Sequence, residues 1–205
     1  KLFCPKMTDL AFIAGLKKLA TFQVASKELE NIDGLPGLVS LEELRIRPCK
    51  IENIDCLSDL KNLTLLNLSK NKSLSNVQAL SGMKELSVLD LYECENISSI
   101  DSLKGLKELT WVDLGMCKLL TSMDSLAEHP KLGKLNITRC PEVVDLVPLA
   151  GISTLKRLQY YPYKDLAASL ELMRSVLQRL DLVENGGHWP DRLEEHLTAH
   201  TGWGA

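Results

Sequence analysis

Six cysteines and four histidines are the residues of this chain best suited to metal or covalent chemistry. A zinc site needs ligands that converge tetrahedrally, usually from short spacings such as C-x₂-C. Cys94, Cys117 and Cys140 instead follow one another at steps of 23 residues, and Cys4 and Cys49 belong to the same series. His196 and His200 stand four apart on one face of an expected helix, which is half of a zinc site, but HLTAH lacks the glutamate of HExxH. A surface coincidence is the simpler reading of that pair. Serines, cysteines and aspartates are plentiful, yet no spacing joins a nucleophile to a base. Neither G-x-G-x-x-G nor G-x-x-x-x-G-K occurs, so nothing is shaped to cradle a phosphate. No catalytic residue, metal ligand or cofactor is assigned, and an enzyme is not expected in this segment.

The bulk properties exclude further classes. The formal charge is -3 with a pI near 5.9, which leaves no basic excess for nucleic acid or an anionic membrane. No apolar run reaches the roughly 18 residues of a spanning helix. At 205 residues and 45% hydrophobic, the chain can bury a substantial core as one domain.

What positions the cysteines is an internal repeat. LKNLTLLNLSKNKSLSNVQALSG places Leu60, Leu63, Leu66, Leu68, Asn71, Leu74, Val77 and Leu80. MKELSVLDLYECENISSIDSLKG puts Met83, Leu86, Leu89, Leu91, Cys94, Ile97, Ile100 and Leu103 at the same places. Two further copies follow, ending at Leu149, and the coils beginning at Leu16 and Leu38 fit with a 22-residue step. FCPKMTDLAFIAGL aligns with RCPEVVDLVPLAGI, setting Cys4 on Cys140, so the chain opens in mid-coil and a longer parent chain is expected. Alternating apolar residues at the front of each coil predict a strand with one buried face, and apolar residues three apart predict a 3-10 or irregular outer side. Leu166, Leu170, Met173 and Leu177 predict a helix, after which LQRLDLVEN returns to the strand pattern 22 residues after Leu155, Leu158 and Tyr160. Asp191 to His200 predicts a short closing helix. The division is therefore 1–185 for the solenoid and 186–205 for its cap and tail.

These coils resemble the leucine-rich repeat family from Cys4 to about Asn185. The short coil is similar to those of the type 1 protein phosphatase regulatory subunit and of internalins, and the form with cysteine in the Asn slot to kinetoplastid and plant immune-receptor repeats. The resemblance implies an α/β solenoid with a curved parallel sheet of about eight strands and a helical C-terminal end. It also implies that a protein partner is bound on the sheet.

On that template the outward strand positions form three columns. Thr21, Glu43, Leu65, Val88, Trp111, Lys134, Arg157 and Arg179 make the first, and Gln23, Arg45, Asn67, Asp90, Asp113, Asn136, Gln159 and Asp181 the second. The third runs Ala25, Arg47, Ser69, Tyr92, Gly115, Thr138, Tyr161 and Val183. Leu65, Val88, Trp111, Tyr92 and Met116 are expected to form one exposed patch flanked by Asp90 and Asp113, with Arg45 and Arg47 as a charged neighbour. Central aromatic residues dominate binding energy when desolvated; the plainer reading is that they lean on one another across strands, as on any sheet. The function expected is a protein-interaction module, a scaffold or regulatory subunit; the alternative is the ligand-sensing repeats of an immune or surface receptor. A row of packed thiols favours an intracellular, reducing compartment. The sequons at Asn71 and Asn136 fall where glycosylation would conflict with the fold.

Overall fold

The computed structural model describes residues 1–4, 6–160 and 181–183. The expected helix from Leu166 to Leu177, the closing helix, the strand positions Tyr161 and Arg179, Tyr163, and the histidines His188, His196 and His200 lie outside the described residues.

The strands are β1 (Leu2–Phe3), β2 (Thr21–Ala25), β3 (Glu43–Ile46), β4 (Leu65–Asn67), β5 (Val88–Asp90), β6 (Trp111–Asp113), β7 (Lys134–Ile137), β8 (Arg157–Tyr160) and β9 (Asp181–Val183). They form one sheet of nine strands in chain order, every neighbouring pair parallel. The expected count of about eight rises to nine because Leu2 and Phe3 pair with Val24 and Ala25.

Each coil closes because its apolar positions point to a common interior. Leu44, Leu66, Leu89, Val112, Leu135 and Leu158 are consecutive partners in the sheet and are all 0% exposed. Burial of such a side chain contributes roughly 1.5–3 kcal/mol, and only the stack of neighbours provides it. On the outer side the three-residue spacing becomes 3-10 turns, among them Asp55–Leu57, Gln78–Gly82, Asp101–Leu103 and Asp124–Leu126. A short polar side chain starts each of these: Asn53, Asn76, Ser99 and Ser122 accept the backbone N–H two residues on. These local bonds are the reason that Asn and Ser suit turns.

The turn leaving each strand carries the slot occupied by Asn or Cys. Asn71 is fully buried and donates from Nδ2 to the carbonyls of Ile46 and Leu68, both at 2.7 Å, while its Oδ1 accepts the N–H of Cys49 at 2.8 Å. The thiols of Cys94 and Cys140 donate to Leu68 and Leu114 at 3.1 and 3.0 Å, repeating one of the amide's bonds. Ser26 fills the slot in the second coil and donates to Met7 at 2.7 Å; the repeat alignment missed it because that coil is one residue short between strand and slot.

Three expectations change at the two ends. Leu16 is 51% exposed and Cys4 is exposed, because among the described residues no coil packs against the outer face of the first one. Arg157 pairs with Asp181 and Leu158 with Leu182, so the last strand is shifted by two residues from the expected Arg179 register. An even shift keeps the same backbone positions on the same face. No helix among the described residues is long and apolar enough to cross a membrane.

Candidate functional site

The first two outward columns are in the expected register from β2 to β8: Thr21, Glu43, Leu65, Val88, Trp111, Lys134 and Arg157 are consecutive partners, as are Gln23, Arg45, Asn67, Asp90, Asp113, Asn136 and Gln159. Their exposure is not what the columns imply. Leu65 and Trp111 are 5% and 6% exposed, and Asp90 and Asp113 are 7% and 3%. These four are corrected from surface contacts to packed residues. Side chains on neighbouring strands stand close enough to cover one another, so a position that alternates outward can still be dry. Val88, Tyr92, Met116, Arg45 and Arg47 remain half-buried, and these are the sequence-derived site residues that present surface. Arg45 is held by Glu43 at 2.7 Å.

The second column is a buried polar ladder. Asn67 donates to Asp90 at 2.7 Å, and Asn136 donates to both oxygens of Asp113 at 2.9 and 3.0 Å. Each carboxylate also accepts the backbone N–H two residues ahead, Tyr92 for Asp90 and Gly115 for Asp113. Asn67 and Asn136 do the same for Ser69 and Thr138. The column therefore ends each strand by tying off the first N–H of the turn, a role invisible in the pattern of leucines. Loss of water raises both carboxyls above the ordinary range, Asp90 to about 6 and Asp113 to about 8, and the charge of Asp90 adds to the effect at Asp113.

Gly115 is the small residue that lets this packing form. A Cβ there would lie 2.8 Å from Asn136 Nδ2, 2.9 Å from Tyr92 Cδ2 and 3.1 Å from Asp113 Oδ1. The aromatic ring of Tyr92 thus rests over a glycine, against the polar ladder. Nothing in the repeat marked Gly115 beyond its place in the third column.

The groups that could do chemistry elsewhere are spent on structure. Among the described residues no set of three or more His, Cys, Asp and Glu side chains is grouped to hold a metal. All six cysteines are free thiols, and burial pushes Cys140 up to about 12 and Cys94 and Cys117 well upward, so these three are poor nucleophiles. His129 is 1% exposed, with its ring nitrogens 3.0 and 3.1 Å from the carbonyl oxygens of Leu126 and Leu103, and it joins two coils.

No protein-family model and no curated protein sequence matches the chain. Solved structures do. An internalin (inlF) of Listeria monocytogenes superposes with a TM-score of 0.70 at 26% identity, over 82% of this chain and 54% of that one. Internalin C2 of the same organism gives 0.64 at 24% identity, over 80% and 74%. The leucine-rich repeat domain of the type III effector XopL gives 0.57 at 16%, over 78% and 67%, a likeness of fold alone. The chain spans about half the length of the first internalin. With a repeat of strand, inward slot and 3-10 turn, one parallel sheet in chain order, and neighbours of this kind, the chain has the fold of a leucine-rich repeat solenoid.

Proposed function

We propose that this solenoid is a non-catalytic protein-interaction domain that seats a protein partner on its concave sheet, with Val88, Tyr92 and Met116 as the apolar centre and Arg45 and Arg47 at its border. The observation that carries this reading is the placement of Tyr92: a half-buried aromatic ring supported from below by Gly115 and the Asp113 carboxylate, and so held in one position before any partner arrives. A preset aromatic side chain loses little entropy on binding, and such residues dominate interface energy. Leu65 and Trp111 support this surface from within the packing. Its place of work is a reducing, intracellular compartment, a reading supported by the row of unpaired thiols in the slot. The role is that of a scaffold or regulatory subunit.

The test is site-specific photo-crosslinking in cells, with the reactive group at position 88 and, as control, at the exposed residue Val39 in the turn before β3. A partner captured from position 88 alone, whose affinity then falls about thirtyfold in Tyr92→Ala, a loss of roughly 2 kcal/mol, supports the concave site. Capture from position 39 alone, or an unchanged affinity in Tyr92→Ala with the fold intact, sinks it.

A further inference from the structure

The buried polar ladder has one step that its own side chains leave incomplete. Asn67 donates to Asp90 from one side, and Asn136 donates to Asp113 from the other. Asp90 and Asp113 themselves are partners in register on β5 and β6. Asn67 and the Tyr92 N–H serve the oxygens of Asp90, and Asn136 and the Gly115 N–H those of Asp113, but among the described residues no one side chain donates to both carboxyls. Adjacent parallel strands lie about 4.8 Å apart, and at 7% and 3% exposure water does little to screen the two carboxylates. Two anions at such a separation in a dry site do not both stay ionised.

The surrounding charges do not remove the conflict. Arg47 beyond β3 and Lys70 after β4 favour the anion of Asp90, but less than its loss of water disfavours it. Arg45, on the ladder itself, is already paired with Glu43. Asp113 gains from the N–H bonds of Asn136 and Gly115, and among the described residues no cation is a cause of its shift, while Asp90 acts against it. Glu93 and Arg139 bear on the neighbouring Tyr92, and Lys134, beside Arg157, is shifted toward its neutral form. Beneath the sheet Cys94, Cys117 and Cys140 are held as neutral thiols by burial.

We propose that Asp90 and Asp113 share one proton at neutral pH, forming an O–H to carboxylate bond that clasps β5 to β6, and that its loss under alkaline conditions puts a second negative charge beneath the concave face and loosens the middle of the sheet. The upward direction of both carboxyls agrees with this, Asp90 to about 6 and Asp113 to about 8. Both lie above the unfolded value of about 3.9, so the folded chain binds the extra proton. The stabilisation is fully present below about pH 4, declines progressively as pH rises above the unfolded value, and is lost once pH has passed through the interval up to about 8. The proton is a property of the fold and stands whether or not the concave face binds a protein.

The experiment is a pH titration of the aspartate carboxyl carbons by NMR on the intact chain, with the two resonances assigned through Asp90→Asn and Asp113→Asn, together with urea unfolding between about pH 5 and pH 9. One of the two carboxyls is expected to remain protonated at neutral pH. The unfolding midpoint of the unmodified chain is expected to fall across that interval, and that of Asp113→Asn to stay flat, because the amide supplies the missing donor permanently. Two carboxyls that both titrate below about pH 5, or an equal pH slope in the variant, would overturn the shared proton. Should Asp113→Asn fail to fold, the unmodified chain decides the question: at least one aspartate carboxyl that stays protonated above about pH 5 upholds the clasp, and none overturns it.

Discussion

The second and third coils and the four that follow are built on the same leucines yet leave the strand in different ways. Glu43 pairs with a residue 22 positions later, Leu65, whereas Leu65 pairs with Val88, 23 positions later. In the shorter coils the slot loses a residue on one side: Ser26 is two beyond Val24, and Cys49 is two before Ile51. In the longer ones the slot is three from its apolar neighbours on both sides, and the residue before it has a left-handed backbone. Lys70, Glu93, Met116 and Arg139 have φ of 65°, 59°, 63° and 57°, immediately ahead of Asn71, Cys94, Cys117 and Cys140. That conformation costs a residue with a side chain roughly 1–2 kcal/mol. It is offset by a bond to the next coil: the N–H groups of Lys70, Glu93 and Met116 donate to Tyr92, Gly115 and Thr138 at 2.6, 2.8 and 2.7 Å. The shorter coil has Pro48 before its slot, a residue that cannot adopt positive φ. The concave faces differ in parallel. Gln23, Arg45 and Arg47 are half-buried, while the ladder from Asn67 to Asn136 is dry. One added residue per coil thus accompanies a left-handed turn and a closed polar column.

The comparison breaks most severely if the shorter coil's solution is forced on a longer one. Lys70→Pro demands φ near -65° where the chain has 65° and removes the N–H that reaches Tyr92. A loss of about 3 kcal/mol or more is expected in urea unfolding, large enough that local opening near Asn71 should also appear in amide exchange. A loss below about 1 kcal/mol would show that the turn adapts and that its geometry is not what separates the two kinds of coil.

Gly115→Ala tests the closed column directly. Its Cβ would crowd Asn136, Tyr92 and Asp113 together, and the Asp113 carboxylate and Asn136 amide have little freedom to retreat. A loss of roughly 1–3 kcal/mol is expected, as for other overpacked sites, with Tyr92 displaced in its fluorescence or ring resonances. Neutral stability would mean that the column is looser than its hydrogen bonds imply.

The legible parts of this molecule are those where one residue type answers one need. Leu44, Leu66, Leu89 and Val112 face a common interior, so spacing alone predicts their register, and the columns from Thr21 to Arg157 follow with them. Asn71 was legible as an inward amide because a buried turn has carbonyls to satisfy. The dryness of Asp90 and Asp113 was not legible. Alternation tells which face a side chain takes, but its exposure depends on the size of the side chains beside it, and here two acids that composition alone would place in water are buried on a face shared with Tyr92 and Trp111. Ser26 was hidden by a one-residue deletion, and Gly115 by having no side chain to notice. The columns were thus legible in register and misread in depth, and the apolar centre of the proposed site narrows from five residues to Val88, Tyr92 and Met116.

The smallest effect distinguishes the two kinds of coil by sign. Lys70 is exposed and its left-handed φ is strained for a residue with a Cβ, so Lys70→Gly relieves the strain while adding the entropy that glycine loses on folding. The balance is a gain of about 0.5–1 kcal/mol. Ala25 precedes the slot in the second coil but lies in β2, paired with Phe3, so Ala25→Gly has no strain to relieve and is expected to lose about 0.5–1 kcal/mol. Opposite shifts in urea midpoint would confirm that the left-handed turn belongs to the longer coils alone. Shifts of the same sign would place the difference between the coils in their side chains and not in the backbone that carries them.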